Sequence, residues 1–457
     1  MRRSVLVVAF LATFLSVGLF AQTNLGRIVG TVRDNTGGVI PGVTVVVRNE
    51  GTSWTREFLT DETGGYEIAN LVAGTYAVSA EISGFRRFVR PGVVLDAGRT
   101  VRIDAQMEIG EVANEVRVES TTPVVESETP SIANSLDYEG HMKSAVSTGN
   151  RPWEALVSLP NFVSGTATFV YSLAGSRGSQ LEIHVDGIGT PSAGSPLGSG
   201  TMTMEGTSEL RVLAVNNSAE YSQPAILQQI SRSGTNDFHG SLRYYHNNSA
   251  LNARPYFVPK AASHDHTFGA WFGGPLVLPK LYDGKDRTFF MLSYDGNFSP
   301  GFAAVNANVP TAAMRNGDFS ASTFKPIKDP LTKVAFPQNK IPAGRINPVS
   351  KSIQERFYPL PNYGDTSVFT QLNHRIIFDN SAKGGNLDLR IDQKLTDQNT
   401  MYARVGWVQF NVARMEANLP TVGPRSQLRN LRSVALSDTH SFSGLLINEL
   451  RLGYHRS

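Results

Sequence analysis

The sequence predicts a mainly β protein, with a small soluble β-sandwich near the N-terminus and, further on, strands that face lipid on one side and water on the other. Three observations carry this. In the stretch Asn386–Asp392, Leu387, Leu389 and Ile391 fall on one face, and Asn386, Asp388, Arg390 and Asp392 on the other. Side chains on a strand alternate with period two, so one face is apolar and the other charged. A short turn at Thr396-Asp397-Gln398 follows, and the alternation resumes with Met401, Ala403, Val405 and Trp407 against Tyr402 and Arg404. Opposed charges along one face of a long hairpin suit a barrel with lipid outside and water inside. Second, 42 Gly and 24 Pro in 457 residues, with Asn and Ser clusters, specify many turns and few long helices. Third, no stretch after the leader is apolar enough for a membrane helix. Only helices and closed barrels satisfy every backbone group in lipid, so residence in a membrane would require a barrel.

The chain opens with Arg2 and Arg3 and an apolar run from Val5 to Phe20. The run is short for a membrane span and is read as a secretory signal peptide over residues 1–21, cleaved after Ala21. There is no cysteine, hence no lipoprotein anchor, disulfide or thiolate chemistry. The formal charge of +3, less the two leader arginines, leaves +1, which argues against a nucleic-acid partner.

Residues 26–108 read as the sandwich. Ile28, Gly30 and Val32 alternate, and Asp34-Asn35-Thr36-Gly37-Gly38 supplies a turn. Val43, Val45 and Val47 form the next inward row, followed by Tyr66 with Ile68, Tyr76 with Val78, and Val101 with Ile103. The turn spacing suggests seven strands. This stretch resembles the carboxypeptidase regulatory-like domain family. The resemblance rests on Gly30-Thr31-Val32-Arg33-Asp34, Ile40-Pro41-Gly42-Val43, Thr60-Asp61, Gly64-Gly65-Tyr66, Leu71, Gly74-Thr75-Tyr76 and Ser83-Gly84-Phe85. It implies an Ig-like or prealbumin-like accessory sandwich and no peptidase activity.

Nothing in the residues supports an enzyme, a cofactor or a metal centre. No histidine begins a His-x-x-Glu pair, and there is no His-Glu-x-x-His, Gly-x-Ser-x-Gly or phosphate-binding Gly-rich loop ending in Lys-Ser/Thr. His264-Asp265-His266 is the nearest approach to a metal cluster and is read as a solvated loop end. Asp61-Glu62 and Asp186-Gly187 are read as turn residues.

Residues 109–130 turn acidic and Thr/Pro-rich, as a linker does. Inside it, Glu115, Val116, Arg117, Val118 and Glu119 form a short extended segment. Two readings fit: a strand added to the exposed sheet edge of a partner, or the last strand of the sandwich. From Ser131 the pattern is α+β. Pro152 opens a helix in which Trp153, Leu156 and Val157 share a face. Leu181, Ile183 and Val185 then alternate into the Asp186-Gly187 turn.

From here the chain resembles TonB-dependent outer-membrane transporters of the Oar-like branch. The motifs run in order: Ser176-Arg177, Ile183-His184-Val185-Asp186-Gly187, Glu209-Leu210-Arg211-Val212, Ser218-Ala219-Glu220-Tyr221 and Ser233-Gly234-Thr235-Asn236-Asp237-Phe238-His239-Gly240. They continue through Ala250-Leu251-Asn252-Ala253-Arg254, Phe272-Gly273-Gly274-Pro275, Lys285-Asp286-Arg287-Thr288-Phe289-Phe290 and Asn316-Gly317-Asp318-Phe319-Ser320. Ile341-Pro342-Ala343-Gly344-Arg345-Ile346-Asn347-Pro348 and Ile447-Asn448-Glu449-Leu450-Arg451-Leu452-Gly453-Tyr454 complete the set. The resemblance implies a plug over residues 131–236 and part of an Oar-like barrel over 237–457. It places the protein in the outer membrane of a Gram-negative cell, with the sandwich in the periplasm. It further implies uptake of a bulky nutrient, of unidentified kind, through a plug-gated barrel energised by the TonB complex at Glu115–Glu119. The alternative is an Oar-like surface or binding protein without active uptake. One departure is Pro224-Ala225, where the family carries a glycine pair before a plug strand; a proline there is expected to cost a ladder donor.

Seven membrane strands are expected, around Phe238–Asn247, Thr267–Pro275, Thr288–Asn297, Asn386–Leu395, Thr400–Phe410, Leu431–His440 and Asn448–Arg456. The Pro- and Asn-rich stretch from Phe298 to Gly384 is expected to be a long extracellular loop. Barrels of this kind have an even strand number and the resemblance implies about 22, so the chain is expected to continue past Ser457.

Overall fold

The structure is a computed structural model. It describes residues 25–110, 115–117, 132–137, 156, 159, 162–164, 171–173, 175–176, 180–190, 202–215, 221, 223–253, 264–321, 325–369, 372–414, 425–443 and 446–456. The leader and residues 118–131 lie outside the described residues.

The N-terminal domain is a sandwich of β1 (Gly26–Asp34), β2 (Thr44–Asn49), β3 (Thr55–Leu59), β4 (Gly65–Leu71), β5 (Gly74–Glu81), β6 (Arg87–Leu95), β7 (Thr100–Arg102), β8 (Ala105–Met107) and β9 (Glu115–Arg117). One sheet runs β4-β1-β7, with β8 also on β1, and the other runs β3-β2-β5-β6-β9. The seven strands expected become nine. β7 and β8 are three-residue strands that pair parallel to β1, and β9 pairs parallel to β6; segments so short carry too few side chains for alternation to stand out. All the inward rows read from the sequence meet in one core, from Ile28 and Val32 through Val43, Val45, Val47, Tyr66, Ile68, Tyr76 and Val78 to Val101 and Ile103. The buried Tyr66 hydroxyl donates to Ile103 O at 2.6 Å, which removes the cost of an unpaired polar group in the core.

Two turns of the same build close this domain. Asp34 Oδ1 accepts the N–H groups of Thr36 and Gly38, each at 2.8 Å, and Asp61 Oδ1 accepts those of Thr63 at 2.8 Å and Gly65 at 2.9 Å. Gly37 and Gly64 supply the positive φ, 90° and 70°, that a side chain would resist. Hydrogen bonds from the threonine hydroxyls, and then from the backbone, hold both carboxyls below their ordinary pKa. Asp61 is therefore the turn residue expected of it.

The middle domain comprises β10 (Ile132–Asp137), β11 (Phe162–Ser164), β12 (Tyr171–Leu173), β13 (Leu181–Val185), β14 (Ile188–Gly189), β15 (Thr207–Val215) and β16 (Ala225–Ser231). Five of these form a mixed sheet, β10-β15-β16-β13-β14, while β11 and β12 pair separately. β16 lies at the centre and is buried along its whole length, so it shows no alternation in sequence. Pro224 stands just before it: the ladder begins at Leu181↔Ala225, and no strand donor is lost to the proline, contrary to expectation. Of the helix expected over Pro152–Val157 only Leu156 is described, and it is buried in the domain core.

The remaining elements are β17 (His239–Asn248), β18 (His264–Pro275), β19 (Val277–Leu278), β20 (Tyr282–Asp283), β21 (Thr288–Ser299), β22 (Phe302–Ala307), β23 (His374–Asp379), β24 (Ala382–Lys394), β25 (Asn399–Arg414), β26 (Arg425–Ser441) and β27 (Ile447–Arg456). Seven form one antiparallel sheet, β17-β18-β21-β24-β25-β26-β27, and all seven expected strands are among them. β17 and β27 are its edges, so the sheet is open within the described residues. Its burial is inverted relative to a soluble sheet. Leu389 is 39% exposed, whereas Asp388 and Arg390 beside it are 2% and 5% exposed. The apolar face looks outward, as lipid contact requires, and the charged face is covered by the middle domain.

Two expectations change in detail. His264 and His266 lie within β18, on the same face, rather than in a loop; the His266 ring stands 4.5 Å from that of His246 on β17. Alternation continues past the apolar band there, so the strand runs further than its hydrophobic pattern. The segment after Ser299 is not structureless. β22 and β23 pair with each other, Asp329 meets Arg345 at 2.8 Å, Lys340 meets Asp318 at 2.9 Å, and α1 (Pro348–Phe357) starts on the Asn347 side chain, which accepts from Val349 N. Pro at the first position of α1 pre-sets its φ. The Ser320 hydroxyl, then Lys340, pull the Asp318 carboxyl down to about 2.

Candidate functional site

The chemistry of the molecule is concentrated where the middle domain meets the inner face of the large sheet. Asp186 sits at the β13–β14 turn with φ 50°, a conformation that Asp tolerates better than most residues. Its carboxylate accepts from Ser231 N at 2.8 Å and pairs with Arg404 Nε on β25 at 2.9 Å. Arg404 Nη1 reaches Asp388 on β24 at 3.0 Å, and the other oxygen of Asp388 accepts from Thr203 N at 2.8 Å. Beside them Arg390 grips Asp392 at 2.6 Å, and Ser233 donates to Asp392 at 2.9 Å. Even the carbonyl of Asp186 is used, accepting from the Tyr402 hydroxyl and from Arg451, both at 3.3 Å.

A second cluster lies one strand pair away. Arg243 on β17 bridges Glu205 at 2.8 Å and Asp295 on β21 at 3.3 Å, and Ser241 donates to Glu205 at 2.7 Å. Asp295 also accepts from Met204 N. Residues 203–206 can approach the wall this closely because Gly206 has no side chain: a Cβ there would collide with the Ser293 and Thr203 hydroxyls. The two clusters thus tie the middle domain to the sheet through backbone and side-chain groups alike. Buried charges that are paired hold one arrangement firmly, because losing one partner leaves the other uncompensated.

Sequence reading missed most of this. Asp186 was legible only as a turn residue, and Arg404 and Asp388 only as members of a polar face; the turn and the strands stand about two hundred positions apart.

The sandwich docks at the end of the sheet where the connections are short, residues 395–398 and 442–446. Asn236 N donates to Gly51 O at 2.9 Å, Arg56 bonds Ser441, and the Ala97 N–H donates to Glu209 Oε2 of the middle domain at 2.9 Å. Burial raises the pKa of Glu209, against the lowering by Ala97 N–H and the Ser135 hydroxyl. A raised carboxyl pKa means the docked form is favoured in acid and loses that stabilisation as pH rises through the raised value. Glu209→Gln keeps an acceptor for Ala97 and removes the titration. It is expected to flatten the pH dependence of thermal unfolding across the range from acid to neutral, while wild-type protein melts progressively earlier. Parallel curves for the two proteins would refute this.

Of the segment Glu115–Glu119, Glu115, Val116 and Arg117 form β9, pairing with Arg87, Phe88 and Val89 of β6. Val118 and Glu119 lie outside the described residues. β9 is the outermost strand of its sheet, with one neighbour among the described residues. Among those residues, no group of three His, Asp or Glu side chains is arranged to hold a metal ion.

Two family models match this architecture. Residues 27–108 match the carboxypeptidase regulatory-like domain, and residues 230–457 match an outer membrane β-barrel domain. The TonB-dependent transporter Oar of Myxococcus xanthus is 22% identical over 336 residues, which cover 70% of this chain and 30% of that protein. A ferric enterobactin receptor from Pseudomonas aeruginosa overlaps 71% of this chain and 40% of its own at 10% identity, with a TM-score of 0.42. Catechol 1,2-dioxygenase from Acinetobacter overlaps 23% of this chain and 60% of its own at 11% identity, with a TM-score of 0.18. The chain is an Oar-like outer-membrane β-barrel protein carrying an N-terminal carboxypeptidase regulatory-like domain, similar to a TonB-dependent transporter. It spans about a third of the length of the curated relative it matches.

Proposed function

We propose that this protein takes up a bulky nutrient across the outer membrane, with the middle domain, residues 131–236, acting as the plug of a barrel that begins near residue 237. The observation that supports this best is the set of buried ion pairs between Asp186, Arg404 and Asp388, and between Glu205, Arg243 and Asp295. They hold the middle domain by polar contacts that water can replace, which is what a domain that must shift to open a path requires. The short connections and the sandwich share one end of the sheet, which we assign to the periplasm.

We infer further that Glu115–Glu119 is the TonB contact. β9 is an edge strand, and an edge offers unpaired backbone groups to an added strand. Proline at Val116 removes one backbone donor. Val116→Pro is expected to abolish cross-linking to TonB and TonB-dependent uptake together while leaving the amount of protein in the outer membrane unchanged. Undiminished cross-linking would remove this segment from the mechanism. Growth of a deletion strain on a nutrient panel, with and without the TonB complex, tests the transport reading itself. A phenotype that persists without that complex would favour a surface-binding role.

A further inference from the structure

A cavity of about 590 Å³ lies at the junction of the sandwich, the middle domain and the sheet end nearest them. Its wall holds Trp54 from the β2–β3 loop, Trp271 from the inner face of β18 and Glu449 from β27. The indole N–H groups of Trp54 and Trp271 and one carboxylate oxygen of Glu449 are buried and have no hydrogen-bond partner in the protein. Folded proteins leave few such atoms unsatisfied, and three in one wall call for an occupant.

The chemistry of the wall selects its class. Most of the charges present are already matched: Arg390 pairs with Asp392, Lys394 with Asp397, Asp96 with Arg99, and Glu449 shares its other oxygen with Arg451. A strongly anionic or cationic ligand would have to break those pairs. Two free donors, one free acceptor and the hydroxyls of Thr235, Thr400 and Thr439 ask instead for groups that both accept and donate. Two indoles add flat apolar faces; each has an arginine on one side, Arg56 at 5.2 Å from the Trp54 ring and Arg232 at 4.7 Å from that of Trp271. Sugars combine hydroxyl edges with apolar C–H faces, and the volume falls within the usual range for a small-ligand site. We propose that this junction binds a neutral saccharide of about one to three rings, which would bridge the sandwich to the other two elements.

The test uses the full protein purified in detergent, titrated with maltose, cellobiose and diacetylchitobiose while tryptophan fluorescence is recorded. Two of the 4 tryptophans line the cavity, so occupancy is visible directly. A saturable change is expected with at least one sugar. Trp271→Phe and Trp54→Phe keep an aromatic ring and lose the N–H; each is expected to weaken binding about five- to tenfold. Trp407→Phe, at a ring on the lipid face beneath Arg432, should leave affinity unchanged. Heat-modifiable migration reports whether each variant is folded, and Trp54 lies outside the sheet, so the two cavity variants do not share one folding risk. No saturable response at millimolar sugar, or wild-type affinity in both cavity variants, overturns the assignment. The assay needs no TonB complex, so its outcome is independent of the transport experiment.

Discussion

Replacing Arg404 with alanine is expected to destabilise the seating of the middle domain by about 3–5 kcal/mol, the cost of leaving buried carboxylates without their cation. Two lose this cation at once, because Arg404 pairs with Asp186 at 2.9 Å and with Asp388 at 3.0 Å, and Asp186 keeps only the longer contact with Arg390 at 3.8 Å. Both carboxylates keep other donors, Ser231 N on Asp186 and Thr203 N on Asp388, so the sheet itself should persist. The expected result is a protein that still inserts and still shows heat-modifiable migration, but whose middle domain becomes susceptible to protease. The double variant Arg404→Leu with Asp388→Leu should recover part of the loss, since removing both charges avoids the desolvation penalty that removing one exposes. Equal protease resistance in wild type and Arg404→Ala would show that these pairs do not hold the domain.

The second large effect is on the opposite face of the same strand. Leu389 projects outward and lies between Leu292 and Val405 on the neighbouring strands. Leu389→Arg places a charge mid-strand in lipid, at a cost of about 2–4 kcal/mol near the midplane and close to zero at the interface. Leu428→Arg supplies the comparison, because Leu428 also faces outward but lies near the beginning of β26, at the end of the sheet with the long connections. Folding into bilayers under increasing urea should show a clear loss for Leu389→Arg and little change for Leu428→Arg. Equal losses would mean that depth in lipid is not what distinguishes these positions.

Both results turn on one strand, and that strand marks how far sequence reading reaches. The alternation of Leu387, Leu389 and Ile391 with Asp388, Arg390 and Asp392 depends only on the period of a strand, and it identified the lipid face without knowledge of any partner. The inward rows of the sandwich were legible for the same reason, as were the turns at Asp34 and Asp61, where an Asp side chain and a positive-φ glycine act within five residues. What failed to show was short or non-local. β7, β8 and β9 are three residues each, and β16 is buried on both faces, so none carries a usable period. The structure within residues 300–381 rests on contacts such as Asp329 with Arg345 that no periodic pattern records.

From sequence alone it follows that this is an outer-membrane β protein with an accessory sandwich, where its seven membrane strands run, and which of their faces meets lipid. Those properties follow from local geometry and turn chemistry, repeated often enough to be unmistakable. Only the tertiary structure decided that Asp186 meets Arg404, that Arg243 lies between Glu205 and Asp295, that β9 lies along β6, and that Trp54 and Trp271 face a common cavity. Charge pairing between the middle domain and the sheet depends on which residues the folded chain brings within a few ångströms. A polar face in sequence announces that partners are needed and leaves their identity to the fold.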